Sequence, residues 1–291
     1  MKILITGANG MLAKAVRERF VNEELVLTDV KVTDTPSVEK LDITDLEKVK
    51  EFVTSCKPDV IINCAAYTAV DAAETNEDLA RKINADGPRN LAIAAKNAGS
   101  TLVHISTDYV FDGEKPLDDE PYVEANPTNP QSIYGITKLE GEEAVKENME
   151  QYYIFRTAWL YGDGKNFVRT MLRLSKENKQ ISVVADQHGS PTYTVDLADI
   201  IAQTLEKKIP FGVYHTTNLR FTTWNKFAEK IFELAGIDCV VKPLTSEEYP
   251  QAAKRPKNSK LSKEKILSYG IEIPSWEDAL TRYLEKELSN S

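Results

Sequence analysis

The first thirteen residues leave this chain few folds to choose from. Residues 2 to 5 are mostly apolar and β-rich, and they run straight into Thr6-Gly7-Ala8-Asn9-Gly10-Met11-Leu12-Ala13, after which Met11, Leu12, Val16 and Phe20 recur at roughly helical spacing. A buried strand feeding a helix through a glycine turn is the first unit of a βαβ fold. The pattern then repeats, with strands expected at 24 to 28, 59 to 63 and 101 to 106 and helices at about 46 to 56 and 79 to 98. Short continuous apolar strands alternating with helices predict a doubly wound α/β fold, a parallel sheet covered on both faces. Gly99 stands where a C-cap belongs. Residues 112 to 131 carry acidic residues and prolines without helical period and read as a surface loop, followed by a helix with Tyr134 near its start and a strand at 152 to 156.

Beyond about residue 160 the alternation breaks down. Helical segments near 166 to 177, 196 to 207, 222 to 235 and 275 to 288 are separated by short strands and by Pro- and Lys-rich loops such as 252 to 262. The expected organisation is a Rossmann domain over 1–165 with a return segment at about 192–215, and a smaller α/β substrate-binding region over 166–291, interleaved with the first.

The 291 residues can form a sizeable core without staples, and a net charge of -9 argues against nucleic acid or an anionic membrane as the main partner. Cys56, Cys64 and Cys239 are too widely spaced for a CxxC or Cys/His metal pattern and read as reduced, packed thiols of a cytoplasmic protein. His104, His188 and His215 form no visible ligand cluster. The N-terminus reads as a strand rather than a signal peptide, and no window approaches the roughly 20 apolar residues of a membrane span.

The glycine turn is a GxxGxxA pattern at a helix start, where Gly7 and Gly10 let backbone approach a pyrophosphate and the N–H groups from Met11 and Leu12 onward face it. Asp29 closes the second strand about 20 residues on, placed to accept hydrogen bonds from a ribose 2′-OH. That favours NADH; Lys31 keeps NADPH open. Three more segments are placed to reach the cofactor: Asp42 and Ile43 at the adenine, the small-residue run Ala65-Ala66-Tyr67-Thr68 after the third strand, and Asn84 within a helical run.

Tyr134 and Lys138 are four residues apart, which on a helix places phenol and ammonium on one face. A nearby positive charge stabilises a phenolate and lowers the phenol's pKa, so the spacing suits proton transfer. The fourth strand of the alternation ends in Ser106-Thr107-Asp108-Tyr109, bringing hydroxyls and a carboxylate to the ligand edge.

Thr107, Tyr134 and Lys138 together resemble the Ser/Thr, Tyr, Lys set of the short-chain dehydrogenase/reductase superfamily, in its extended nucleotide-sugar branch. The resemblance implies that Thr107 hydrogen-bonds the substrate oxygen, Tyr134 protonates it, and Lys138 lowers the tyrosine's pKa while binding the nicotinamide ribose. Sugar 4,6-dehydratases of this branch usually carry Thr-Asp-Glu; here Tyr109 takes the Glu position, and the acid–base pair for elimination is incomplete. The strings NCAAYTAVDAAE (63 to 74), STDYVFDG (106 to 113), YGITK (134 to 138), FRTAWLYG (155 to 162), FVRTMLRLSKE (167 to 177), DQHGSPT (186 to 192) and RPKNSKL (255 to 261) are similar to those of the dTDP-4-dehydrorhamnose reductases nearly end to end. The resemblance implies NAD(P)H-dependent reduction of the C4 ketone of dTDP-4-dehydro-L-rhamnose, with Asp108 and Trp159 at the sugar and Arg255 and Asn258 facing the nucleotide diphosphate. Some members form a Mg²⁺-bridged dimer through two glutamates; Ala15 and Val195 stand at the matching positions, so no metal and a monomer or weak homodimer are expected. Two other readings remain: a non-catalytic NAD(P)-binding regulatory subunit, and a reductase of another nucleotide-linked deoxy-keto-sugar.

Overall fold

The computed structural model describes residues 1–32 and 37–289. Its centre is a parallel sheet of seven strands. In chain order six of them are β1 (Lys2–Thr6), β2 (Glu24–Asp29), β3 (Val38–Lys40), β4 (Val60–Asn63), β5 (Thr101–Thr107) and β6 (Tyr152–Thr157). Across the sheet the order is Gly212–His215, β6, β5, β4, β1, β2, β3. The chain moves one way from β1 to β2 and the other way from β4 to β5, so the strand order reverses between β1 and β4, where open α/β sheets bind ligands.

The continuous apolar runs are explained by burial on both faces. Ile3 and Ile5 pack with Val16, Leu197 and Ile201 on one side, while Leu4 packs with Val49, Leu91, Val145 and Ile154 on the other. Each such fully buried side chain contributes about 1.5–3 kcal/mol relative to exposure. A third core, with Phe227, Ile231, Trp276 and Leu280, lies in the C-terminal part of the chain. There helix Phe167–Ser175 is capped by Asn166, whose side chain accepts from Arg169 N, and helix Trp224–Ala235 is capped by Thr223 and closed by Gly236. Strands Gln180–Val184 and Val240–Leu244, which fall among the short strands expected between the C-terminal helices, form a parallel pair away from the main sheet. They are mostly exposed or half-buried and so carry no apolar run.

The helix expected over 79–98 is interrupted. Helix Glu77–Arg81 passes through a π-helical turn, Lys82–Asp86, into helix Gly87–Ala98. Pro88 has no N–H to offer the carbonyl four residues back, at Asn84, and the ladder reorganises there. Val38–Lys40 was likewise unexpected; it extends the sheet beyond β2. Among the described residues no helix is long and apolar enough to cross a membrane.

Candidate active site

The glycine turn follows β1 directly and abuts the end of β4. Gly7 has φ +65, and a Cβ there would lie 2.7 Å from the Ala65 backbone nitrogen, so only glycine lets the two segments meet. Gly10 caps helix α1 (Met11–Arg19) without a side chain. The helix's first-turn N–H groups, which have no intrahelical partners, begin beside a cleft of about 540 Å³. Gly10, Met11 and Leu12 line one wall of it and Ala65, Ala66 and Thr68 another, while Thr107, Asp108, Tyr134, Lys138 and Trp159 line the far end. A nicotinamide dinucleotide fits these residues: a helix N-terminus for its pyrophosphate, small side chains along its path, and hydroxyl donors where its reactive ring would arrive.

Several residues expected at the cofactor stand off this wall. Asp29 lies beside the glycine turn, its two oxygens accepting from the backbone of Asn9 and Lys31, each at 3.1 Å. Asp42 accepts from Thr44 N and Oγ1 at 2.9 and 2.8 Å, a turn that precedes helix Leu46–Cys56. The Ile43 side chain is buried in the second core, which leaves its backbone to border the adenine. Asn84 is likewise buried. It is 1% exposed, and its amide accepts from Tyr67 N at 2.8 Å and donates to Tyr67 O and Thr137 Oγ1. The side chain pins Tyr67 to helix Ile133–Asn148 and has no donor left for a ligand.

At the far end of the cleft the polar groups are buried and interlocked. Thr107 donates to Asp108 Oδ1 at 3.0 Å, and Ser259 Oγ donates to Asp108 Oδ2. Burial pushes the Asp108 carboxyl up to about 6 against those hydrogen bonds. The Tyr134 phenol is pushed up to about 12 by burial, with the Thr107 hydrogen bond pulling it down and the Asp108 charge adding to the rise. Burial brings the Lys138 ammonium down to about 8 while Glu142 draws it back up. Lys138 Nζ donates to the Ile105 carbonyl at 2.5 Å. Among the causes that act on the Tyr134 phenol here desolvation is the largest, and it favours the protonated form.

Beneath this end lies a group of residues that sequence reading missed. Glu142, one turn after Lys138, is fully buried and receives Arg156 Nε and Nη2 at 2.9 and 2.7 Å and Ser106 Oγ at 2.6 Å. Burial alone would raise its pKa; the Arg156 contacts overcome that and hold it low. The i+4 spacing from Lys138 was the signal that could have found it. Asn63 is a second support, accepting from Thr6 Oγ1 at 2.7 Å and meeting His104 Nδ1 at 3.1 Å. Cys64, beside it in the cleft wall, has its thiol pushed up to about 12 by burial.

The cleft adjoins a second cavity of about 500 Å³, and Val70, Tyr109, Trp159 and Trp224 line both. Trp159 and Trp224 stack with centroids 3.9 Å apart. Tyr109 meets Tyr134 edge-on at 5.4 Å. Arg255 lines the second cavity, with Nη2 on Asp71 at 2.5 Å, Nε on Gln251 at 2.8 Å and Nη1 on Tyr109 OH at 3.3 Å. Asn258 does not line it; with Arg255 it lines a neighbouring cavity of about 680 Å³. It is 2% exposed, donating to Lys115 O at 2.8 Å and accepting from Lys260 N at 2.9 Å, so its amide fixes the loop. Ser259 was within a recognised string and Trp224 was not; no spacing links Trp224 to Trp159. Among the described residues no group of three or more His, Cys, Asp or Glu is arranged to hold a metal ion.

The family model described as the RmlD substrate binding domain matches residues 1–289. The chain belongs to that family. It is 42% identical to the dTDP-4-dehydrorhamnose reductase of Streptomyces griseus, over 96% of this chain and 91% of the relative. Among solved RmlD-like structures, a dTDP-4-dehydrorhamnose reductase of Clostridium acetobutylicum is 48% identical with a TM-score of 0.92, covering 99% of this chain and 100% of that one. The Bacillus anthracis enzyme of that name, solved in complex with NADP, is 43% identical with a TM-score of 0.91, covering 98% and 99%.

Proposed function

We propose that the chain reduces the C4 ketone of dTDP-4-dehydro-L-rhamnose to dTDP-L-rhamnose, with NADPH or NADH as donor. The observation that carries this reading is one cleft lined at one end by the first turn of α1 and at the other by Thr107, Tyr134 and Lys138. A reduced nicotinamide bound there supplies hydride to the ketone carbon. Thr107 turns the hydroxyl that now donates to Asp108 toward the ketone oxygen, and Tyr134 gives that oxygen its proton as the alcohol forms; a phenol kept protonated by burial is the state this step requires. Lys138, fixed on Ile105, keeps a positive charge beside the phenolate left behind. Tyr109, where a glutamate would serve elimination, supports reduction without loss of water.

Gly7, Gly10, Met11 and Leu12 take the pyrophosphate, Ala65, Ala66 and Thr68 the middle of the cofactor, and Asp29 and Asp42 its adenosine end. Asp29 is already engaged by two backbone N–H groups, and a relative holds NADP, so the NADH preference expected from Asp29 gives way to use of both donors. Asp108 and Trp159 contact the sugar, and Arg255 turns toward the diphosphate. Residues 1–165 with the return segment at about 192–215 serve the cofactor and 166–291 the substrate, in a cytoplasmic monomer or weak homodimer.

The test is oxidation of NADPH and NADH over a panel of nucleotide-linked keto-sugars, with dTDP-4-dehydro-L-rhamnose expected to be turned over fastest. Turnover of another keto-sugar in its place would reassign the substrate. No turnover with any of them would leave a binding subunit.

A further inference from the structure

We propose that Trp224 is a positioning residue for catalysis: it holds the Trp159 indole as a shared wall, so that a nucleotide in the second cavity sets the geometry at the sugar. What fills the two spaces rests on the functional reading above; the indole pair stands on its own geometry.

Trp159 has φ +51, a left-handed conformation that a bulky side chain adopts only where its surroundings impose it. Those surroundings are identifiable. Thr192 N donates to the Trp159 carbonyl at 3.2 Å, and Thr192 Oγ1 donates to the Ala158 carbonyl at 2.7 Å. A Cβ on Gly189 would lie 2.9 Å from the Trp159 ring, so glycine is needed for the indole to lie where it does. Trp224 then covers the ring, with 17° between the planes.

Trp224 is itself anchored. It is the first residue of helix Trp224–Ala235, and its ring leans on Phe167 at 4.6 Å, which stacks on the fully buried Phe227 at 5.7 Å. An aromatic relay thus runs from the C-terminal core to the catalytic cleft. Both indoles are half-buried and both line both cavities, which core packing alone does not require. An indole presents one face to the C–H face of a sugar or to a base and the other to its neighbour. Displacing Trp224 therefore leaves the Trp159 backbone held by Thr192 but frees its ring to turn away, and the sugar loses its wall.

Two stacked indoles couple, giving an exciton band in circular dichroism that serves as a readout independent of turnover. The wild-type protein should show the band, Trp224→Phe and Trp224→Leu should lose it, and thymidine diphosphate without sugar should change it in the wild type. Trp224→Leu should lower kcat roughly tenfold to a hundredfold, as expected when a reacting group is displaced by about an ångström, with NADPH affinity unchanged. Trp224→Phe, which keeps a stacking ring, should recover most of the loss.

A kcat within about twofold of wild type in Trp224→Leu, or a change confined to KM, overturns the positioning role. If Trp224→Leu fails to fold, the wild-type titration decides: thymidine diphosphate binding detected by calorimetry with no change in the band overturns the proposal. Absence of thymidine diphosphate binding overturns the functional reading, and the nucleotide coupling with it.

Discussion

The end of the cleft that holds Tyr134 and the wall that holds Trp159 are built on opposite principles. The Tyr134 end is a sheet edge and one helix, its groups fixed by buried charge-assisted contacts: Lys138 on Ile105, and Glu142 on Arg156 and Ser106. The wall is assembled from segments far apart in sequence, Asp71, Tyr109, Trp159, Trp224 and Arg255, joined by ring stacking and a guanidinium. Rigid polar placement suits groups that must meet the same reacting atoms each cycle. A wall of rings and one long cation suits recognition of a larger ligand. The expectation that follows is a division of labour: substitutions at the first end and at the Trp159–Trp224 pair act on kcat, and those at the rest of the wall act on KM.

The largest effect should come from Tyr134→Phe. Removing the phenolic proton while keeping the ring should lower kcat by about 10² to 10⁴, with NADPH binding retained by fluorescence titration. Turnover at the wild-type rate would remove Tyr134 as the proton donor and, with it, the reason for contrasting the two regions.

Next in size is the support beneath. Glu142→Ala strands the buried Arg156 guanidinium, whose side chain is 3% exposed, and should cost about 3–5 kcal/mol in denaturant unfolding. The double variant Glu142→Leu, Arg156→Met removes both charges together and should recover much of the loss. A single-variant cost below about 1 kcal/mol would mean that the pair is no more than a surface ion pair in effect.

The same contrast governs what could be read from the sequence. The Tyr134 end was legible because its parts are local: a glycine turn after an apolar strand, Thr107 at a strand end, Tyr134 and Lys138 one turn apart. Even there the electrostatics were not, since the Tyr134 pKa depends on how deeply the phenol is buried, which spacing does not show. The parallel sheet was legible because strands buried on both faces need continuous apolar runs. The exposed pair Gln180–Val184 and Val240–Leu244 needs none, so short strands were expected there without positions or pairing. The partners of Asn84 and Asn258 were hidden for a related reason. A polar side chain near a site satisfies the backbone or serves a ligand, and only the partners distinguish these; here Tyr67, Thr137, Lys115 and Lys260 take the amides. Trp224 belongs to the contacts that arise only from folding, where no periodicity brings it to Trp159.

The smallest of these effects, and the most direct test of the division, lies at Arg255. Its guanidinium reaches Asp71, Gln251 and Tyr109 at the second cavity, so it is placed to exchange a carboxylate partner for phosphate oxygens while keeping its contact with the ring that faces Tyr134. Arg255→Ala should raise KM for the nucleotide sugar roughly tenfold to a hundredfold, the worth of one charged hydrogen-bonded contact, with kcat little changed. Arg255→Lys should fall between, because an ammonium keeps the charge and loses the planar fork. Steady-state kinetics at saturating NADPH separates the two constants. A fall in kcat with KM unchanged would mean that Arg255 acts through Tyr109 on the proton donor, and the wall would then belong to the catalytic machinery rather than to recognition.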